Sequence, residues 1–148
     1  MKLTIELVPK SSWYSNVRSN VTELEWNRIK QHVNKAAGYR CEICGGRGKK
    51  WPTECHEIFS YDDFLSIQKL EKIVALCPPC HHVKHIGLAQ IKGYFDHAVR
   101  HFCKVNEVGR EEALTYIDDQ FALWRRRSRQ QWKLNLKYLN QFLQWESK

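Results

Sequence analysis

The sequence predicts an α+β fold, mostly helical, in which a β-hairpin and a following helix are clipped together by four cysteines. Three observations carry that expectation. Two Cys-x-x-Cys pairs, Cys41/Cys44 and Cys77/Cys80, stand 32 residues apart. The stretch between them reads as two strands. The stretches on either side show helical spacing of apolar residues.

The elements follow in order. Residues 2–8 alternate, with Leu3, Ile5 and Leu7 on one side, and predict a short strand that Pro9 ends. Residues 11–20 form a polar loop carrying Trp13 and Tyr14. This loop is expected to pack on the hairpin or to touch a nucleic acid. Thr22 with Glu25 three residues later is a capping box. Leu24, Ile29, Val33 and Ala37 then predict a helix that Gly38 stops.

After the first cysteine pair comes the turn Gly45-Gly46-Arg47-Gly48. Residues 53–61 predict one strand and residues 67–76 a second, with Asp62-Asp63 opening the turn between them. Pro78 and Pro79 suit the first turn of a helix, and that helix carries His81 and His85. Gly87 and Gly93 are expected to interrupt the chain beyond it. Residues 94–105 and 111–127 predict two further helices, the second with Leu114, Ile117, Phe121 and Trp124 on one stripe. Trp132, Leu136, Leu139 and Leu143 predict a last helix over 131–145. With no repeat, low-complexity segment or linker, residues 1–148 read as a single domain.

Composition narrows the function. The chain has 148 residues and 24 Lys plus Arg against 16 Asp plus Glu, a net charge of +8. That excess favours a polyanionic partner. It is concentrated in Arg125, Arg126, Arg127 and Arg129 near the C-terminus and in Arg47, Lys49 and Lys50 beside the first cysteine pair. No apolar run approaches the length of a membrane span. The first residues lack an apolar core and a small-residue cleavage site, which predicts no signal peptide and a cytoplasmic setting. There, paired cysteines serve metals or redox chemistry rather than disulfides.

Four thiolates in two such pairs predict a closed tetrahedral zinc site, structural rather than catalytic. Its binding energy becomes folding energy. His81 and His85, four residues apart, share a helix face and can grip one cation. They are expected to face the strand carrying Glu54, His56 and Glu57. In strand alternation Cys55 shares a face with Glu57, opposite Glu54 and His56. Cys55 and Cys103 are expected to be buried small apolar residues, and His82 is given no role.

These residues resemble a known family. Cys41-x2-Cys44, then Glu54-Cys55-His56-Glu57-Ile58, then Leu76-Cys77-x2-Cys80-His81-x3-His85 is similar to the HNH endonucleases of the ββα-metal, or His-Me finger, class. Within that class the match is to the subgroup braced by four cysteines. The resemblance covers residues 38–87, leaving an N-terminal strand and helix (1–37) and a helical extension (88–148). It implies a treble-clef-like ββα-metal finger that hydrolyses phosphodiester bonds in double-stranded DNA, by nicking or by cutting both strands. It implies a structural zinc on the four cysteines and a catalytic divalent cation, Mg, Mn, Ni or Zn. His81 matches the helix ligand and His85 the second helix histidine. His56 and Glu57 match the ligand-and-base pair in either order: His56 as ligand with Glu57 as base, or His56 as base with Glu54 helping to hold the metal. A neutral imidazole is the better base near neutral pH. The family's middle asparagine falls at Lys72, which is a departure. The basic residues named above would hold phosphates. Two other classes compete: a zinc module that binds nucleic acid without cutting it, and a treble-clef protein-interaction domain.

Overall fold

A capping box, a hairpin and a proline-started helix organise the molecule. The computed structural model describes residues 1–13 and 16–143. Helix α1 spans Glu23–Ala36, strands β1 and β2 span Glu54–Asp62 and Ile67–Leu76, and α2 spans Pro78–Lys84. Then come α3 (Ile86–Lys92), α4 (Phe95–Asn106), α5 (Arg110–Arg127), β3 (Lys133–Asn135) and α6 (Asn140–Leu143). The fold is α+β. No helix among the described residues is long and apolar enough to cross a membrane.

Local chemistry accounts for the element ends. Thr22 and Glu25 close a reciprocal capping box, with Glu25 N–H to Thr22 Oγ1 at 3.1 Å and Thr22 N–H to Glu25 Oε1 at 2.7 Å. Just beyond α1, Gly38 takes φ +64°, a left-handed conformation that glycine adopts without a Cβ penalty. In the hairpin turn Asp62 Oδ1 accepts N–H bonds from Phe64 at 3.0 Å and Leu65 at 2.8 Å, an Asx turn. Cys77 is the N-cap of α2, whose first residues are Pro78 and Pro79.

Strand β1 pairs antiparallel with β2, from Glu54 opposite Leu76 to Asp62 opposite Ile67, with a bulge between Ile58 and Phe59. β3 adds in parallel to the other side of β2. Each face of the hairpin makes its own core. Val74 and Leu76 join Val83, Ile86, Val99, Phe102 and Ile117. Ile73 and Ala75, on the opposite face, join Trp26, Ile29, Val33, Leu139 and Phe142. The end of β2 is therefore buried on both faces, which explains its unbroken apolar run.

Several expectations are corrected. Residues 2–8 alternate as expected, with Leu3 and Ile5 buried, but they pair with no strand. Side chains satisfy that backbone instead: Asn106 Oδ1 accepts from Lys2 N–H and Leu3 N–H, and Tyr116 Oη accepts from Ile5 N–H. Leu24 is 58% exposed, and Trp26 occupies the buried stripe of α1 in its place. Gly87 lies inside α3, while Gly93 ends it with φ +84°. Residues 131–143 are not one helix. They form β3, a single 3-10 turn over Lys137–Leu139 and the short α6; residues 144 and 145 of that expected helix lie outside the described residues. The reason is tertiary: Lys133 N–H reaches Ser66 O at 2.8 Å, so the open edge of β2 captures the segment. Trp13 packs on α5 rather than on the hairpin, stacking with Trp124 at 6.2 Å between ring centroids; Tyr14 lies outside the described residues. Cys55 and Cys103 are half-buried rather than fully buried.

Candidate functional site

The clip between knuckle and helix comes first. The Sγ atoms of Cys41, Cys44, Cys77 and Cys80 all lie within 4.8 Å of one another, with Cys44 and Cys77 at 3.5 Å. A tetrahedron of ~2.3 Å metal–sulfur bonds sets its sulfurs roughly 3.8 Å apart, so this cluster could hold a structural metal ion. Backbone amides already point at the sulfurs: Cys44 N–H at Cys41 Sγ and Gly46 N–H at Cys44 Sγ. Hydrogen bonds from Cys77 and Cys80 hold the Cys41 thiol far below its ordinary range. The Cys41 bond in turn pushes the Cys77 thiol up to about 12. Sulfurs this close share protons, which a bound cation would displace.

Neighbouring elements fix the clip. Glu42, inside the first pair, accepts Ala75 N–H at 2.7 Å through Oε2 and meets Lys72 Nζ at 3.1 Å through Oε1. Lys72 thus ties β2 to the knuckle. From α4, His101 Nε2 stands 3.1 Å from Cys80 Sγ.

Next to the clip, three imidazoles converge. His56 projects from β1, His81 from the middle of α2, and His85 from the junction of α2 and α3. His85 has left helical geometry (φ −103°, ψ 49°) but keeps its N–H bond to His81 O at 3.1 Å. One nitrogen from each ring lies within 4.8 Å of the others. The His81 and His85 Nε2 atoms are 3.1 Å apart. Two nitrogens bound to one cation at ~2.0–2.1 Å stand roughly 3.0–3.4 Å apart. The rings meet edge to face, His56 lying 5.2 Å from His81 and 5.0 Å from His85 between centroids. Exposure is graded: His56 is 5% exposed, His81 half-buried and His85 exposed.

Two observations test whether a cation fits. The buried Nδ1 of His56 has no hydrogen-bond partner, and such an orphan needs an explanation. His81 turns Nδ1 to Glu54 Oε2 at 3.0 Å and so aims Nε2 into the cluster. A histidine that ligates a metal commonly gives its other N–H to a carboxylate. Burial, with His85 and His81 adding to it, pushes His56 down to about 2. That ring is neutral and resists a proton, which leaves its lone pair for a ligand. The donor set fits a borderline divalent cation.

Other expected site residues fall elsewhere. Glu57 shares the α1 side of the strand with Cys55, whose Sγ faces Lys30 O at 3.7 Å, so it lies across the strand from the imidazoles. Burial pushes the Cys55 thiol up to about 12, an unreactive state. Arg47, Lys49 and Lys50 are exposed in the loop before β1, and Arg47 donates to Gly38 O at 3.0 Å. Arg125, Arg126 and Arg129 are exposed at the end of α5. Arg127 differs. It grips Asp63 through Nε and Nη2, both at 2.9 Å, and stacks 4.6 Å from the Tyr61 ring. It braces the hairpin turn. The two basic groups sit at opposite ends of β1, roughly 26 Å apart by strand rise.

Sequence reasoning missed His101 and the pair Lys84–Glu6. Lys84, one residue before His85, is 3% exposed, and its Nζ meets Glu6 Oε2 at 2.7 Å and Thr4 Oγ1 at 3.2 Å. No local pattern marks a partner 78 residues away. Compared with known proteins, the chain matches no family model, no curated protein and no solved structure.

Proposed function

We propose that the hairpin, the four-cysteine clip and α2 form a treble-clef-like ββα-metal finger, and that the protein is a metal-dependent HNH-type endonuclease acting on double-stranded DNA. One observation carries the reading: three imidazoles converge beside a sulfur cluster, one of them backed by a carboxylate. Zinc is the metal proposed for Cys41, Cys44, Cys77 and Cys80. A catalytic divalent cation is proposed for His56, His81 and His85.

Such a cation would neutralise phosphate charge and acidify a water for attack on phosphorus. The protein's part is to hold the geometry. Glu54 fixes the His81 ring so that Nε2 faces the substrate side. His56 is locked in the wall as a neutral ring whose lone pair would serve the cation. Exposed His85 lies at the mouth. Glu57, across the strand, is dropped as the base. Arg47, Lys49 and Lys50 hold the backbone near the cleavage point, and Arg125, Arg126 and Arg129 hold it at the far end of the hairpin. Phosphate contacts of this kind position without reading sequence, and affinity falls steeply with salt.

Plasmid nicking with added Mg²⁺, Mn²⁺ or Ni²⁺ tests the reading. His81→Ala is expected to remove cutting by at least about 100-fold while far-UV circular dichroism stays native. Undiminished cutting by His81→Ala would end the assignment. A binding module without catalysis is the competing reading, supported by the place of Glu57 across the strand from the imidazoles and by lysine at position 72. It predicts DNA retention but no nicks with any of the three metals.

A further inference from the structure

We infer that the loop Arg47–Trp51 is a nucleobase-stacking subsite, with Trp51 as the platform for an unpaired base on the strand that carries the scissile phosphate. This rests on the proposed nuclease reading for the class of substrate. Trp51 differs from the other described tryptophans. Trp26 is buried in a core. Trp13, Trp124 and Trp132 each donate their indole N–H to a carbonyl. Trp51 does neither and is 65% exposed.

A closed turn presents it. Gly48 N–H reaches Pro52 O at 3.0 Å and closes a five-residue turn with Lys49, Lys50 and Trp51 on its outside. A Cβ at position 48 would stand 2.0 Å from Trp51 O and 2.7 Å from Pro78 Cδ. Only glycine fits, and the turn is seated against the first residue of α2. Trp51 is three residues from Glu54, a span of at most about 10 Å, and Glu54 holds His81 at 3.0 Å. That span, the Glu54 side chain and this bond together keep the platform within roughly five base steps of the imidazole cluster.

Charge selects the occupant. Arg47, Lys49 and Lys50 are exposed, and no acid occurs between Cys44 and Glu54. An exposed aromatic among cations suits a nucleic-acid strand: cations track the phosphates and the indole stacks a base. Stacking needs a base out of the duplex stack, so the preferred substrate carries an unpaired nucleotide.

Fluorescence anisotropy with the full chain, without added divalent cation, tests this. Two labelled duplexes are compared, one with a single unpaired thymine and one with an abasic residue at that place. The native protein is expected to bind the first about tenfold more tightly. Trp51→Ala is expected to erase that preference and Trp51→Phe to keep most of it, both with native zinc content and melting temperature. Equal binding of the two duplexes by the native protein would overturn the inference and leave the nuclease reading standing. So would a preference that survives Trp51→Ala, or a Trp51 emission shift seen only with phosphatidylserine vesicles. Failure to bind either duplex would remove the nuclease reading and the inference together.

Discussion

The sulfur cluster and the imidazole cluster both draw on α2 yet differ in donors, closure and access. Three of the four cysteines are buried and the fourth, Cys44, is exposed, with the protein's own amides aimed at two sulfurs. The imidazole cluster offers three donors, graded from a buried His56 to an exposed His85. Four soft donors complete a tetrahedron and leave nothing for a substrate. Three donors leave a cation open positions. One short helix thus contributes Cys80 to the sulfur cluster and His81 to the imidazole cluster. Cys80 and His81 are consecutive, so direction around the helix, about 100° per residue, separates the two clusters.

That contrast can be attacked at each end. Cys77→Ser is expected to act most strongly: metal content falls, the far-UV spectrum degrades and cooperative melting is lost, because metal binding is folding energy. A native melt from Cys77→Ser would place the sulfur cluster outside the fold's support. Glu6→Gln comes next. It leaves Lys84 almost without charge compensation in a buried place and is expected to cost about 3 kcal/mol in urea unfolding. Its metal loss should appear first at the imidazoles, since Lys84 adjoins His85. Glu54→Gln is milder and is expected to weaken metal binding at the imidazoles by about 10- to 100-fold in calorimetric titration while metal binding at the sulfurs is unchanged. Equal loss at both clusters would mean that they are one coupled unit.

Asp63→Asn probes a point remote from both. Arg127, hydrogen-bonded and close by, holds the Asp63 carboxyl below its usual range. A lowered folded-state pKa gives stability that is present above the unfolded value, near 4, and is lost as pH falls through the folded one. The variant is expected to lose under about 1 kcal/mol at pH 7, with the difference shrinking in denaturation curves as the pH falls below the unfolded value and through the folded one. Metal content of both clusters should not move.

Features that depend on near neighbours could be read in advance. Thr22 and Glu25 signal the start of α1 because the capping box closes within four residues. The bounds of β2, Ile67 and Leu76, agree with expectation, since a turn and a cysteine pair delimit it. Histidines four apart on a helix start are visible in any sequence, and the structure brings His56 to them. Failures came where distant contacts decide. Leu134 has no local reason to extend; it does so opposite Gln68, across the free edge of β2. Spacing could not tell Leu24 from Trp26 as the buried partner on α1. Strand alternation alone already set Glu57 on the face opposite His56, and the pairing of β1 agrees with it. The contact of His101 with Cys80 joins residues 21 apart on separate helices.

The opening segment has a consequence for how the molecule matures. Its amides and carbonyls are met by Asn106 and Tyr116, and Lys10 N–H by Ser128 Oγ, partners 103 to 118 residues downstream. Closing so long a loop is slow and unrewarded until both ends exist. On a ribosome, the first ten residues must wait until α5 has emerged. The two strands of the hairpin, by contrast, are neighbours in the chain and can pair without waiting for α4 or α5.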